Sequence, residues 1–373
     1  MTLVVLILAA IAVTAVYSLR RPNQAQIDPA LDLETWDAVA DGQHNSNTDL
    51  IFWHDFFFLV HAASPFHMGT NRCRLIVRRS QDARLWETVA ELNMPGEDIR
   101  DPKFAAIGDR LFVYALPNKG LRAAPYGTVY SASDDGEHWP AFKMIEHPGW
   151  LFWRPKSPDG RNWYVPAYWH DHGKSILLTS TDGVAWSIVS EIYNGEGNDE
   201  TDIEFLSDGK MLATARLEVT PDNPLGNANS STLIAIASPP YTDWRYAKST
   251  VTRLDGPALF RHDGQVFAVA RYQPGPRGFF TRLGSALSRK RTSLFVVEEN
   301  RLVWLSDFPS AGDTSYAGVA IRDGNLYASY YTSDITRDYP WLVGMLMRSD
   351  IRIAKVGLES LAHLASARAA DLR

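Results

Sequence analysis

Residues 200–216 read ETDIEFLSDGKMLATAR. Glu200, Asp202 and Glu204 open this stretch, Asp208-Gly209 interrupts it and Arg216 ends it. Carboxylates can move protons, and an arginine fork grips a carboxylate or phosphate through two parallel hydrogen bonds. The combination recurs along the chain. Arg100 and Asp101 open RDPKFAAIGDRLFVYAL, and Trp153 and Arg154 open WRPKSPDGRNWYVPAY, which ends at Tyr168. Asp255 and Arg271 bracket DGPALFRHDGQVFAVAR, and Asp313, Tyr316 and Tyr331 punctuate DTSYAGVAIRDGNLYASYY.

These stretches share a plan that positions the charges. Each is a polar start, a short run, a glycine turn (usually Asp-Gly) and an apolar run ending in a polar or aromatic residue. Asp-Gly between two β-type runs signals a hairpin. NTDLIFWHDFFFLVHA is a degenerate sixth copy near the start. In an antiparallel hairpin, residues equidistant from the turn are neighbours, so the polar ends of each copy meet at its open end. Six open ends on one face would gather four arginines, several acids and several tyrosines. A ring of ion pairs would account for the charges, but not for the aromatics among them, which suit sugar rings.

A tryptophan repeat runs in phase with the hairpins. Trp36, Trp86, Trp139, Trp186, Trp244 and Trp304 follow one another at steps of 50, 53, 47, 58 and 60 residues. Three are preceded by a turn of the form Ser-x-Asp-(Gly/Ala)-x-x-Trp, at Ser80, Ser133 and Ser180. An Asp can cap such a turn while Gly supplies the positive φ. Six units of about 50 residues predict an all-β, six-bladed β-propeller of four-stranded antiparallel blades over residues 35–356. The strand at Trp36 precedes the first hairpin and is expected to complete the last blade, closing the ring. Residues 357–373 read as a helical tail and 20–34 as a linker.

The 17-residue apolar run LVVLILAAIAVTAVYSL, within residues 1–19, predicts a signal peptide or membrane anchor, hence an extracytoplasmic protein that is secreted or anchored. One cysteine, Cys73, excludes an intrachain disulfide framework and a Cys-rich zinc site. A net charge of −6 without a basic aromatic tract argues against nucleic acid as a partner. No cofactor and no metal are expected. His170-Asp171-His172 flank a turn, where side chains two apart chelate only with further ligands. The basic run SRKRTS at 288–293 reads as a solvated blade edge, with Arg291 as a spare clamp. Asn229-Ser-Ser231 is a glycosylation sequon.

With these residues in view, the chain resembles the sialidase (neuraminidase) superfamily of Asp-box propellers over most of residues 36–355. ETDIEFLSDGKMLATAR looks like the sialidase hairpin that begins with the catalytic glutamate and ends with an arginine of the substrate-binding triad. DTSYAGVAIRDGNLYASYY looks like the segment that carries the tyrosine nucleophile. The resemblance implies a glycoside hydrolase acting on terminal sugars, acidic ones included, with Tyr316 as nucleophile and Glu200 as its base. Sialidases are an exception to the two-carboxylate scheme of glycosidases. Arg216 and Arg271 would be the carboxylate clamps, with Arg100 and Arg154 reaching in. Asp202, Glu204, Asp255, Asp313, Tyr168, Tyr331 and His61 complete the expected substrate-binding set.

The chain departs from that pattern in its first hairpin, which begins HNSNTDLIF without an arginine. The following loop, HAASPFHMGTNRCR, has no carboxylate but carries His61 and His67. Asp101 is the expected proton donor in its place, with Asp202 and His61 behind it. RDPK also resembles the Arg-Asp-Pro of arabinanase- and invertase-like glycosidases, which implies an alternative with Asp101 and Glu200 or Glu204 as a carboxylate set. A non-catalytic carbohydrate-binding propeller is the further alternative. The partner is a carbohydrate or glycoconjugate, the membrane is met only through the N-terminal segment, and a monomer is expected.

Overall fold

The computed structural model describes residues 7, 13, 16–67, 69–119, 125–218, 231–274 and 287–371. The sequon Asn229 and most of the apolar segment 1–19 lie outside the described residues. No described helix is long and apolar enough to cross a membrane.

Six four-stranded antiparallel sheets form the blades of an all-β propeller. The first strands of blades one to six are His44–Trp53, Asp98–Ile107, Trp150–Phe152, Asn198–Phe205, Asp255–His262 and Thr314–Arg322. They line the axis: the first strands of neighbouring blades pack on one another, except that of blade three, the short Trp150–Phe152, whose blade meets blade four through its second strand. Two glycine turns behave as their sequence dictates: Asp208-Gly209 and Asp323-Gly324 join inner strands to their partners, with both glycines at positive φ. Leu33–Val39 pairs antiparallel with Asp350–Gly357, on the outer edge of the sheet that contains Thr314–Arg322.

Apolar residues of facing sheets fill the space between blades. Leu177 and Ile192 of blade three meet Ile203, Met211 and Leu233 of blade four, all buried. Full burial of each such side chain contributes about 1.5–3 kcal/mol. The Ser-x-Asp turns serve the same seams. In blade three, Asp182 Oδ1 accepts from the backbone N–H groups of Val184 and Ala185 at 2.8 and 2.9 Å. Trp186 then donates its indole N–H to the Gly183 carbonyl at 3.1 Å. A Cβ on Gly183 would lie 2.7 Å from Ile107 of blade two, so the turn needs glycine both for its φ of +76° and for the close approach. A fourth turn of this form, Ser157-Pro-Asp159-Gly160 before Trp163, joins the first two strands of blade three.

One irregularity recurs on the axis. In five blades the inner strand carries one extra residue opposite its partner, a β-bulge at the open end of the hairpin. Within it, Asn47, Asp101, Glu200, Gly256 and Tyr316 have φ of +46°, +50°, +30°, +58° and +46°. A non-glycine residue held there costs on the order of 1–3 kcal/mol and persists only where its surroundings impose it. The bulge re-aims a side chain that regular alternation would send elsewhere. Four of the five bulges therefore turn a polar side chain to the mouth, and the fifth supplies a glycine.

Candidate active site

The bulges bring Tyr316 and Glu200 together from blades six and four. The Tyr316 hydroxyl donates to Glu200 Oε1. Glu200 Oε2 accepts from the Gly256 backbone N–H at 2.7 Å and lies 3.0 Å from Arg216 Nη1. Gly256 is required there, since a Cβ would sit 2.6 Å from Tyr316 Cγ. Trp153 and Tyr331 stand 6.2 and 6.4 Å from the Tyr316 ring, and the Arg271 guanidinium lies 5.2 Å from its centroid. Thr48 anchors the Tyr316 carbonyl at 3.0 Å.

Burial pushes the Glu200 carboxyl up to about 7, and Arg216 only partly opposes it. Burial and the facing Glu200 charge hold the Tyr316 phenol well above its ordinary value. The proton therefore rests on the phenol, next to a carboxylate of near-neutral affinity. A pair so arranged can pass a proton from the hydroxyl to the carboxylate.

Register places the arginines differently from simple hairpin counting. Because of the bulge, Asp199 and not Glu200 stands opposite Arg216. Arg216 grips both Asp199 oxygens, Nε to Oδ1 at 2.7 Å and Nη2 to Oδ2 at 2.6 Å. Asp255 lies between three arginines, 2.9 Å from Arg253 Nε, 2.9 Å from Arg271 Nε and 3.4 Å from Arg216 Nη1. These cations outweigh burial and hold its carboxyl well below the usual carboxylate range. Among the described residues, buried Arg271 Nη1 has no hydrogen-bond partner; it lies 3.9 Å from Asp313 Oδ1. Arg100 is paired with Asp98 at 2.8 Å and donates to the His67 carbonyl.

Arg154 has another place. Its Nη2 donates to Asp49 Oδ1 at 2.7 Å and to the Ala317 carbonyl at 3.0 Å. Its Nη1 donates to Asp202 Oδ2 at 3.2 Å and to the Pro257 carbonyl at 3.4 Å. Asp49 Oδ2 takes the Phe104 N–H at 2.6 Å. One guanidinium thus links inner strands of all six blades. Glu204 pairs with Lys156 at 3.0 Å, on the same side of its strand as Asp202. Arg154 and Asp202, with Glu204 joined to them through Lys156, therefore form a knot of their own, occupied by one another and by backbone carbonyls.

Tyr168 is buried beside Trp153, and burial together with the nearby charges of Asp101 and Glu200 raises its phenol. Asp101 accepts from Asn47 Nδ2. Tyr331 donates to Asp313 Oδ1 at 3.0 Å. His61 takes the Arg78 Nε–H at 3.2 Å, and burial and Arg78 push its imidazole down to about 3. Among the described residues, His61 makes no hydrogen bond with Tyr316 or Glu200.

Several residues were not anticipated. Trp341 donates to Asp313 Oδ1 at 2.8 Å and stacks under Arg271, with 4.9 Å between guanidinium and ring centroid. Lys103, fully buried, lies 4.3 Å from the Trp153 centroid. Glu218 faces Arg216 and His172, and Arg216 draws its carboxyl down to about 2. The basic run 289–291 is not a solvated edge: Lys290 and Arg291 are buried, and Arg289 and Arg291 reach Asp338 at 3.0 and 2.7 Å. Asp338, distant in sequence, compensates charges that would otherwise require water. Two groups of histidine and carboxylate converge among the described residues. In His172–Asp199–Glu218 the Arg216 guanidinium already supplies the cation. In His44–His67–Asp313 a direct hydrogen bond of 2.6 Å joins His67 Nδ1 to Asp313 Oδ2.

No family model matches the chain, and neither does any curated protein. Solved structures do match. A Dyadobacter fermentans protein of unknown function superposes with a TM-score of 0.64 at 15% identity, over 88% of this chain and 100% of that one. The Trypanosoma rangeli sialidase in complex with sialic acid gives 0.65 at 13% identity, over 92% of this chain and 61% of the sialidase. The phage phi92 endosialidase gives 0.64 at 10% identity, over 88% and 69%. The chain shares the six-bladed propeller fold of the sialidases.

Proposed function

We propose that the chain is a glycoside hydrolase of sialidase-like type, acting on terminal sugars that carry a carboxylate. The observation that carries this reading is the Tyr316–Glu200 hydrogen bond at the mouth, beside a buried arginine with a donor that makes no hydrogen bond among the described residues. A sugar carboxylate would repel an Asp or Glu nucleophile, and a phenol avoids that repulsion. Glu200 takes the phenolic proton as Tyr316 oxygen bonds to the anomeric carbon and the glycosidic C–O bond breaks. Water then displaces Tyr316, giving its proton to the group that had protonated the departing oxygen, and Tyr316 recovers its own proton from Glu200. Arg271 Nη1, with Arg216 beside it, offers the charge-assisted hydrogen bonds that orient the carboxylate. The half-buried Trp341 and Tyr316 rings are left to face the sugar, while Trp153, Tyr168 and Tyr331 are buried behind them.

Asp101, bonded to Asn47, is close enough for its charge to help raise the Tyr316 phenol. A second reading draws on that: Asp101 and Glu200 occupy equivalent bulges, which suits a two-carboxylate glycosidase. In either reading the pairing of Leu33–Val39 with the last blade acts as the clasp of the ring, and residues 1–19 serve for export or anchoring. The test is a panel of aryl sialosides and arabinosides with wild type, Tyr316→Phe and Asp101→Asn. Turnover of sialosides abolished by Tyr316→Phe supports the first reading. Turnover that survives it but fails in Asp101→Asn supports the second, and binding without turnover leaves a lectin-like propeller.

A further inference from the structure

The mechanism needs a group that protonates the departing sugar oxygen, and the geometry points to one outside the expected set. We propose that His67, held by Asp313, donates that proton and later removes one from water; this rests on the Tyr316 reading above. Asp313 is fully buried, and its Oδ1 accepts from the Tyr331 hydroxyl and the Trp341 indole at 3.0 and 2.8 Å. Its Oδ2 is thereby turned to His67 Nδ1 at 2.6 Å. An ionised carboxylate only accepts, so Nδ1 carries a hydrogen and Nε2 is the nitrogen left for chemistry.

His44 stands behind the pair. Its Nδ1 faces the Met347 carbonyl at 2.8 Å and its Nε2 lies 3.3 Å from the same Asp313 oxygen. That ring is wholly buried, whereas the His67 side chain is 23% exposed and so is open to a ligand. The loop that carries His67 is fixed at both backbone groups. Its N–H donates to the Met345 carbonyl at 3.0 Å, and its carbonyl accepts from Arg100. Trp341 connects the dyad to the nucleophile. Its ring is 6.3 Å from His67 and packs on Arg271, which in turn faces Tyr316. A carboxylate-oriented imidazole on a fixed loop, across an arginine from the nucleophile, is the arrangement general acid–base catalysis requires.

In the first half-reaction His67 enters as the imidazolium, and its Nε2 proton passes to the glycosidic oxygen as that oxygen takes the electrons of the breaking C–O bond. In the second, Nε2 accepts a proton from the water whose oxygen attacks the anomeric carbon, and the bond to Tyr316 breaks. The state of each residue is thus restored.

The test compares 4-nitrophenyl and methyl α-ketosides of N-acetylneuraminic acid, with arabinoside pairs as a control series. The 4-nitrophenolate leaves without help, and the alkoxide does not. Loss of a general acid should therefore lower kcat/KM for the methyl ketoside by ~10²–10⁴-fold and leave the 4-nitrophenyl ketoside within about tenfold. His67→Ala should show this split, and free imidazole should restore part of the lost rate. Asp313→Asn should show a weaker split without imidazole rescue, because it disturbs orientation only. The proposal is overturned if His67→Ala lowers both substrates equally, or if Asp101→Asn gives the split instead. Those outcomes leave the Tyr316 reading intact. Wild-type activity that survives Tyr316→Phe sinks that reading and the proposal with it. Circular dichroism and thermal melts identify a variant that has failed to fold.

Discussion

Two arginine clusters share the axis of this propeller and differ in what they leave open. Around Arg154, two acids and two carbonyls meet the guanidinium, and Asp49 and Asp202 are completed by backbone N–H groups of Phe104, Ile203 and Leu259. Around Arg216 and Arg271, five acids crowd the cations, yet among the described residues one Arg271 donor makes no hydrogen bond and Glu200 is pushed toward neutral affinity. The first cluster is complete, as a buried charge network must be if it serves only the fold. The second is incomplete where the bulges aim Tyr316 and Glu200. Incompleteness of that kind marks a ligand site more securely than charge density does, because both clusters are dense.

Removing Arg154 should give the largest effect on the fold. Arg154→Met strands Asp49 and Asp202 in a dry interior, and breaking a buried pair costs about 3–5 kcal/mol. Chemical denaturation should record that loss. Tyr316→Phe is its counterpart, with activity falling ~10²–10⁴-fold and the denaturation midpoint nearly unmoved, since the mouth does not hold the ring together. If both substitutions lowered stability alike, the two clusters would be one network and the distinction would fail.

The same contrast explains what was legible in the sequence. Asp-Gly turns and phased tryptophans disclose hairpins and blades because these are local signals. The bulges are not local in that sense: one extra residue leaves composition and alternation unchanged, so the sequence brings Glu200 and Arg216 to one open end but does not show that Arg216 stands opposite Asp199. Beyond the bulge, alternation alone cannot tell which strand face meets Arg154, so Asp202 and Glu204 read as mouth residues. His67 is visible as a histidine in a loop, but Asp313 lies 246 residues away. Asp338, which neutralises the buried basic run, is likewise unreadable without the fold. The turn at Ser157 carried the full Ser-x-Asp-Gly-x-x-Trp signal and was masked only by its place inside the third hairpin.

A smaller change sharpens the comparison from the mouth. Gly256→Ala places a Cβ 2.6 Å from Tyr316 Cγ, at a φ of +58°. The strain should cost about 1–3 kcal/mol, with a fall in kcat larger than any rise in KM, because the Tyr316 ring must shift from Glu200. An equal change in KM alone would mean that the ring moves without losing the hydrogen bond.

The smallest expected effect concerns Glu200 itself and reverses the usual sign. Its carboxyl is raised from 4.5 to about 7 in the folded chain. Below pH 4.5 it is protonated in both states and contributes nothing to pH dependence. Between 4.5 and 7 the unfolded chain releases the proton while the folded chain keeps it, so folding stability falls as pH rises. Above 7 the deficit is constant, about 1–3 kcal/mol after discounting the unit-for-unit conversion for its coupling to Arg216. Glu200→Gln removes the ionisation and should therefore melt higher than wild type at pH 8. The advantage should shrink steadily toward pH 4.5. The substitution should also abolish turnover of the sialoside probes, since an amide cannot take the Tyr316 proton. An advantage that does not vary with pH would mean that Arg216 keeps Glu200 ionised throughout, and the mouth would then be as complete as the Arg154 knot.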